Sequence, residues 1–160
     1  MLNKITKIFK RAPDRYIGGK ENPYMKRWHI IPRNKWFNIY LHHFLRDDED
    51  RALHDHPWHS ISIMLKGSYF EHLPGGNIRT VSAPSIKHRP ATFMHRIQLH
   101  TIRKWIAPVV FQEVKQPVWT LFITGPKVRD WGYNCPQGWR HNTEFNDPKN
   151  GDIIGKGCDD

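Results

Sequence analysis

Cysteine is scarce in this chain: Cys135 and Cys158 are the two present among 160 residues. Two thiols cannot build the multi-bridge framework of small secreted domains, and the paired Cys-x-x-Cys spacing of a zinc ribbon is absent. Free thiols in a reducing compartment are the expectation, with one bridge between them as the alternative. Cys158 lies in the terminal stretch IGKGCDD, where tails often stay mobile. Long apolar runs are missing too, so no segment reads as a bilayer span. The amphipathic stretch LNKITKIFKR (2–11) places Leu2, Ile5 and Ile8 on one helical face, while Lys4 and Lys7 interrupt the apolar core that a signal peptide needs. It is also too short, and its apolar face too narrow, for a membrane-surface helix. A short N-terminal helix, a cytoplasmic location and no membrane partner are therefore expected. No internal repeat is visible.

Acidic residues are the third shortage, 15 against 25 lysines and arginines, for a net charge of +10. The basic residues are spread along the chain instead of forming a block. A nucleic-acid binder gathers them on one face with stacking aromatics between. The stretch YMKRWHIIPRNKWF (24–37) does interleave the two types, which keeps nucleic acid as an unfavoured second partner class. A basic surface that favours small anionic molecules is the simpler reading.

What is abundant is strand-forming sequence. WFNIYLHHFL (36–45), SISIML (60–65), RTVSA (79–83), FMHRIQL (93–99), PVVFQEV (108–114) and VWTLFITG (118–125) are separated by turn residues. LPGGN (73–77) is a hairpin signal between SYFEH and IRTVS. Several short strands with little helix indicate an all-β sandwich or barrel, and the length suits one domain.

Histidines carry the chemistry. His54 and His56 in RALHDHPWHS are two apart, so on an extended strand both point to one face. His95 arrives on a later strand-like run that antiparallel pairing can bring alongside. Three imidazoles converging from two strands suit a first-row divalent ion and leave coordination positions open. His42 and His43 face opposite sides of their strand, and the more polar His42 phase is the better pocket lining. His29 and His141 have no partner spacing and read as structural. RDDEDR (46–51) reads as a solvated loop, since calcium-loop spacing is missing. Glu71 reads as a surface charge, with a general base in the pocket as its alternative. Of the seven tryptophans, Trp58 beside the histidines is the candidate pocket wall and the others are packing residues. WGYNCPQGWRH (131–141) reads as a folded loop shaped by Pro136 and Gly138.

On these histidine strands the chain resembles the cupin superfamily of small β-barrels. The first cupin motif opens His-x-His and closes on a glycine, which His54, His56 and Gly67 match, with Ser60 in the slot of the motif's glutamate. In the second motif Pro90, Thr92 and His95 fall into place, with threonine for glycine and Leu99 for asparagine. YMKRWHIIPRNKWFNIYLHHFLRDDEDRALHDHPWHS, WTLFITGPKVRDWGYNCPQGWRH and GKGC are further similar to a narrower group of small cupin-like proteins of bacterial and bacteriophage genomes.

The resemblance implies a double-stranded β-helix, a jelly-roll barrel over 24–125, with an N-terminal helix and arm over 1–22 and a loop-rich extension over 126–160. It also implies a homodimer that pairs exposed edge strands. Serine is a poor ligand beside three imidazoles, so the implied centre has three histidines, resembling the facial site of thiol dioxygenases. His59 is an alternative fourth ligand only if Pro57 bulges the strand. Iron(II) is the favoured ion, with manganese, nickel or zinc as alternatives, and the expected activity is oxygenation of a small, anionic substrate. Arg51, Lys66 and Arg96 are weak substrate anchors. The other function classes are a non-catalytic module binding a ligand or nucleic acid, and a sugar-nucleotide isomerase or epimerase.

Overall fold

The computed structural model describes residues 11–48, 52–145 and 157–158. Among them run fourteen strands: β1 (Arg15–Ile17), β2 (Met25–His29), β3 (Asn38–Phe44), β4 (Leu53–His54), β5 (Ser60–Lys66), β6 (Ser68–His72), β7 (Ile78–Ser82), β8 (Ser85–Arg89), β9 (Arg96–Leu99), β10 (Thr101–Ala107), β11 (Val110–Lys115), β12 (Val118–Thr124), β13 (Gly132–Cys135) and β14 (Gly138–His141). The strand-forming runs of the sequence all become strands. The LPGGN turn sits between β6 and β7, with Gly75 and Gly76 at φ 74° and 75°, the left-handed region open to glycine.

A six-stranded sheet runs in the order β1-β2-β3-β12-β5-β8, and two three-stranded sheets run β7-β6-β9 and β14-β13-β4. All the ladders are antiparallel. Met25, Phe44, Met64 and Val118 of the large sheet meet Tyr69, Val81, Ile97 and Leu99 of β6, β7 and β9 in the main core. Val118 and Leu99 are almost wholly withdrawn from water, at 0% and 1% exposure. Each fully buried aliphatic side chain of this kind contributes roughly 1.5–3 kcal/mol.

The expected closed jelly-roll barrel does not form. Closure needs the outer strands of a sheet to hydrogen-bond to one another, yet β1 and β8 end the large sheet and β7 and β14 end the small ones. The chain passes between layers at corners instead. β5 turns into β6 at Gly67 (φ 87°), and Ala83, between β7 and β8, donates its N–H back to Gly67 O at 3.0 Å. The two small sheets touch through a single bridge, His54 to His95. The result is a set of open antiparallel sheets.

The expected N-terminal helix over 2–11 falls, except for Arg11, outside the described residues, and no α-helix occurs among the described ones. The cysteines are not free. β13 brings Cys135 to a Cα–Cα distance of 5.3 Å from Cys158, and the two form a disulfide, within the range such bonds require. Cys158 is accordingly buried, packed with Tyr133 and Phe145. Cysteine usage therefore no longer argues for a reducing compartment. The stretch 131–141, read as a loop, is the β13–β14 hairpin. RDDEDR is not merely solvated either: Asp48 accepts the Ile97 N–H at 2.8 Å and Asp47 that of Leu99 at 2.8 Å.

Candidate metal centre

His54 ends β4, and His95 stands one residue before β9. They exchange both backbone hydrogen bonds, His54 N–H to His95 O at 2.9 Å and the reverse at 3.0 Å. Residues directly opposite in an antiparallel pair present side chains to the same face, so the bridge itself aligns the two rings. His56, two residues on, returns to that face, and its N–H donates to Ala91 O at 3.2 Å. Asp55 between them points the other way, as alternation requires.

The three rings form a near-equilateral triangle, with centroids 5.1, 5.0 and 5.2 Å apart. One nitrogen of each lies within 4.8 Å of the others. His56 Nε2 and His95 Nε2 are already 3.0 Å apart, which is the spacing of nitrogens bound at about 2.1 Å to one ion. Burial pushes His56 well below the usual histidine range, and the proximity of His54, His95 and Arg89 disfavours its protonation further. Burial likewise brings His95 down to about 4, against the opposing pull of its hydrogen bond to Glu71. Neutral imidazoles offer the lone pairs a metal needs. The cluster can therefore coordinate a divalent ion.

Glu71 on β6 is the residue that sequence reasoning misplaced. It is wholly buried, at 0% exposure. Its Oε1 accepts from His95 Nδ1 at 2.9 Å and from Arg89 Nε and Nη2 at 2.9 and 2.6 Å. Its Oε2 accepts from Arg79 Nε at 2.7 Å. Burial works against the charge, but the His95 hydrogen bond and Arg89 outweigh it and hold the carboxyl at about 2. An ionised carboxylate only accepts, so His95 carries its proton on Nδ1 and turns the Nε2 lone pair toward the cluster. This is the carboxylate–histidine support common behind metal ligands. Its one sequence signal is a glutamate in strand phase with Tyr69, and that phase cannot say what stands opposite.

Asp55 supports the other two ligands. At 1% exposure, it accepts the Gly132 N–H at 2.8 Å and the Trp139 Nε1–H at 3.1 Å, and it pairs with Arg129. Its own N–H donates to Gly132 O at 3.1 Å. The segment between the histidines is thus anchored to β13 and β14.

Beside the cluster lies a cavity of about 90 Å³. Its wall on the large sheet reverses the usual alternation. Ser62 and Thr120 face inward and are buried, while Ile61 and Leu65 face outward and are exposed. Arg27 and His42 line the cavity too, with Arg27 Nε donating to His42 Nε2 at 2.9 Å. Burial and the Arg27 charge keep His42 well below the usual range, hence neutral. Trp58 is a wall residue, as expected.

The other candidates lie elsewhere. His59 is exposed and stacks against His88, with centroids 6.3 Å apart, outside the cluster. His43 stacks on Trp119 at 4.0 Å. His141 caps a short 3₁₀ turn over Asn142–Glu144. Ser60 faces inward at 3% exposure and does not join the three ligands. Lys66 is exposed and Arg96 half-buried, neither lining the cavity, and Arg51 lies outside the described residues. Within 24–37, Arg27 lines the cavity and Trp28 stacks on Trp119, while Arg33, Lys35, Trp36 and Phe37 are exposed, with Lys35 Nζ 4.9 Å from the Trp36 ring.

No family model matches the chain, and no curated protein matches it. Solved structures do. A DMSP lyase from Ruegeria pomeroyi is 13% identical with a TM-score of 0.51, the match covering 75% of this chain and 57% of the lyase. A mannose-6-phosphate isomerase candidate from Ralstonia eutropha is 16% identical with a TM-score of 0.51, covering 74% and 94%. A Klebsiella pneumoniae protein with a double-stranded β-helix domain is 16% identical with a TM-score of 0.49, covering 75% and 91%. At these identities the likeness concerns fold alone: the chain shares a β-rich, multi-sheet arrangement with these structures, and its own sheets are left open.

Proposed function

We propose that His54, His56 and His95 hold one divalent ion, iron(II) by preference, in an oxygenase-type enzyme acting on a small anionic molecule. The observation that carries this reading is the convergence of one nitrogen from each ring to within 4.8 Å beside a cavity. The donor set supports it further. Glu71, which accepts from His95 Nδ1, is also engaged by two arginines. Three imidazoles without a carboxylate match the facial three-histidine type that the sequence resembles. Manganese, nickel and zinc accept the same donors.

When bound, such an ion supplies Lewis acidity and open positions for oxygen and substrate. The chain's own groups do the rest. Arg27, oriented by His42 and lying 4.9 Å from the Tyr40 ring, attracts a negatively charged group into the cavity. Ser62 and Thr120 offer hydroxyls to its polar atoms. A cavity of this volume suits a ligand of a few heavy atoms.

The narrower likeness to small bacterial and bacteriophage cupin-like proteins, and a homodimer joined at an edge strand, belong to the same proposal. Elemental analysis of protein purified without a histidine tag tests it. Near-stoichiometric iron is expected, lost in His54→Ala and His95→Ala, with oxygen uptake on some member of a panel of small thiols and carboxylic acids. Protein that takes up no divalent ion after reconstitution overturns the reading.

The buried His95–Glu71 pair favours one second reading, a metal-independent isomerase or epimerase in which His95 moves the proton. Turnover insensitive to chelators would establish that instead.

A further inference from the structure

Strands β10 and β11 form a separate two-stranded arm, and every residue from Thr101 to Glu113 is exposed. A lone hairpin is marginal in water and gains little from its own ladder, so a solvated one is expected to carry a polar tip. This one does the opposite. Residues 105–111 read WIAPVVF, without a polar side chain among them. Trp105, Ile106 and Val109 are 66%, 60% and 87% exposed.

Neighbours along a strand face opposite ways. Trp105 and its cross-strand mate Phe111 therefore clothe one side, in edge contact at 5.9 Å, and the ladder shifts register at the exposed Ile106, between Trp105 and Ala107. Val109 caps the apex. An arm that lies flat on a protein surface needs one apolar side, whereas a tip apolar on every side suits immersion. Immediately behind it stand Arg103 and Lys104, one on each side. The Arg103 guanidinium rests 4.6 Å from the Phe111 ring and 3.8 Å from Glu113. A strand advances about 3.3 Å per residue, so these cations sit roughly 10–15 Å behind the apex. Apolar elements at a bilayer surface bury to a comparable depth, roughly 5–10 Å. The chain's net charge of +10 adds attraction to anionic headgroups.

We propose that the β10–β11 arm is a peripheral membrane contact, inserting Trp105–Phe111 into an anionic bilayer surface with Arg103 and Lys104 at headgroup level. No helix among the described residues is long and apolar enough to cross a membrane; the arm anchors without crossing. The proposal is independent of the metal reading.

The test is co-sedimentation of the full chain with phosphatidylcholine vesicles, with and without phosphatidylserine. Binding is expected with phosphatidylserine, weakening as salt is raised. Val109→Asp should lower the partition coefficient about tenfold, a loss of about 1.4 kcal/mol, with metal content and thermal midpoint unchanged. Arg103→Gln with Lys104→Gln should weaken the preference for phosphatidylserine. The proposal falls if the native chain does not sediment with anionic vesicles, or if Val109→Asp sediments as well as it does. It also falls if Val109→Asp converts a dimer to a monomer, which would make the tip a contact between copies.

Discussion

Glu71 shows how much one buried carboxylate is made to do. It fixes the tautomer of His95 and balances the buried Arg89 and the part-exposed Arg79. Glu71→Gln keeps the shape and removes the charge. Metal dissociation constants should rise about 10–100-fold, read by competition with a chelating indicator. Urea unfolding should show a loss of about 3–5 kcal/mol, the cost of stranding a buried ion. Unchanged metal affinity would mean that His95 does not depend on this partner. The histidines were visible at this scale because period two is a local property of one strand. Glu71 was not, because its role depends on β6 pairing with β9, and pairing register is not written in either strand alone. The same holds for Asp47 and Asp48: a run of acids looks solvated until the strand that borrows its carboxylates is placed beside it.

Elements meet here at positions where a side chain has no room. A Cβ on Gly132 would lie 2.0 Å from Arg140 O and 2.9 Å from the Trp139 ring. Gly132→Ala must therefore push β14 off β13, at a cost of about 1–3 kcal/mol or more. Because Gly132 hydrogen-bonds to Asp55 in both directions, the metal ligands move with it. Loss of metal together with loss of stability is expected, and a variant that keeps full metal occupancy would disconnect β13 from the site. Gly67→Ala acts differently. Its φ of 87° and a Cβ 3.0 Å from Pro117 O should cost about 1–2 kcal/mol, seen in urea midpoints, with the histidine cluster left intact. Strand identities were legible from alternation and turn residues. Closure was not, since whether two edges hydrogen-bond is decided by corners such as Gly67, where the chain changes sheets.

For the whole molecule, acid should be the main destabiliser. Burial, aided by Lys26, lowers His43 to about 4 from 6.5, and burial lowers His95 to about 4 as well. His42 and His56 are also lowered. Between the unfolded and folded values the unfolded chain binds more protons, so stability falls as pH drops. For metal-free protein the loss should run from about pH 6.5 down to about 4. Glu71, lowered to about 2 from 4.5, extends it below pH 4.5, where its protonation becomes costly to the fold. Thermal midpoints that stay flat from pH 7 to about 4 would contradict this. Reduction is the second lever. The Cys135–Cys158 bridge spans 23 residues of sequence, and Cys158→Ser should cost about 3 kcal/mol on the chain-entropy estimate, measured by urea unfolding without reductant.

The amino-acid order on its own determined the strands, the hairpin at LPGGN and the three histidines, because each depends on spacing within a short stretch and on turn residues at its ends. Tertiary structure alone decided that the sheets stay open, that Cys135 meets Cys158, and that Glu71 and Asp55 stand behind the ligands. It also decided that serine and threonine face the cavity while isoleucines face out. These facts depend on which strands pair and in what register, and that is settled by the joint burial of many distant side chains, a sum that no single segment carries.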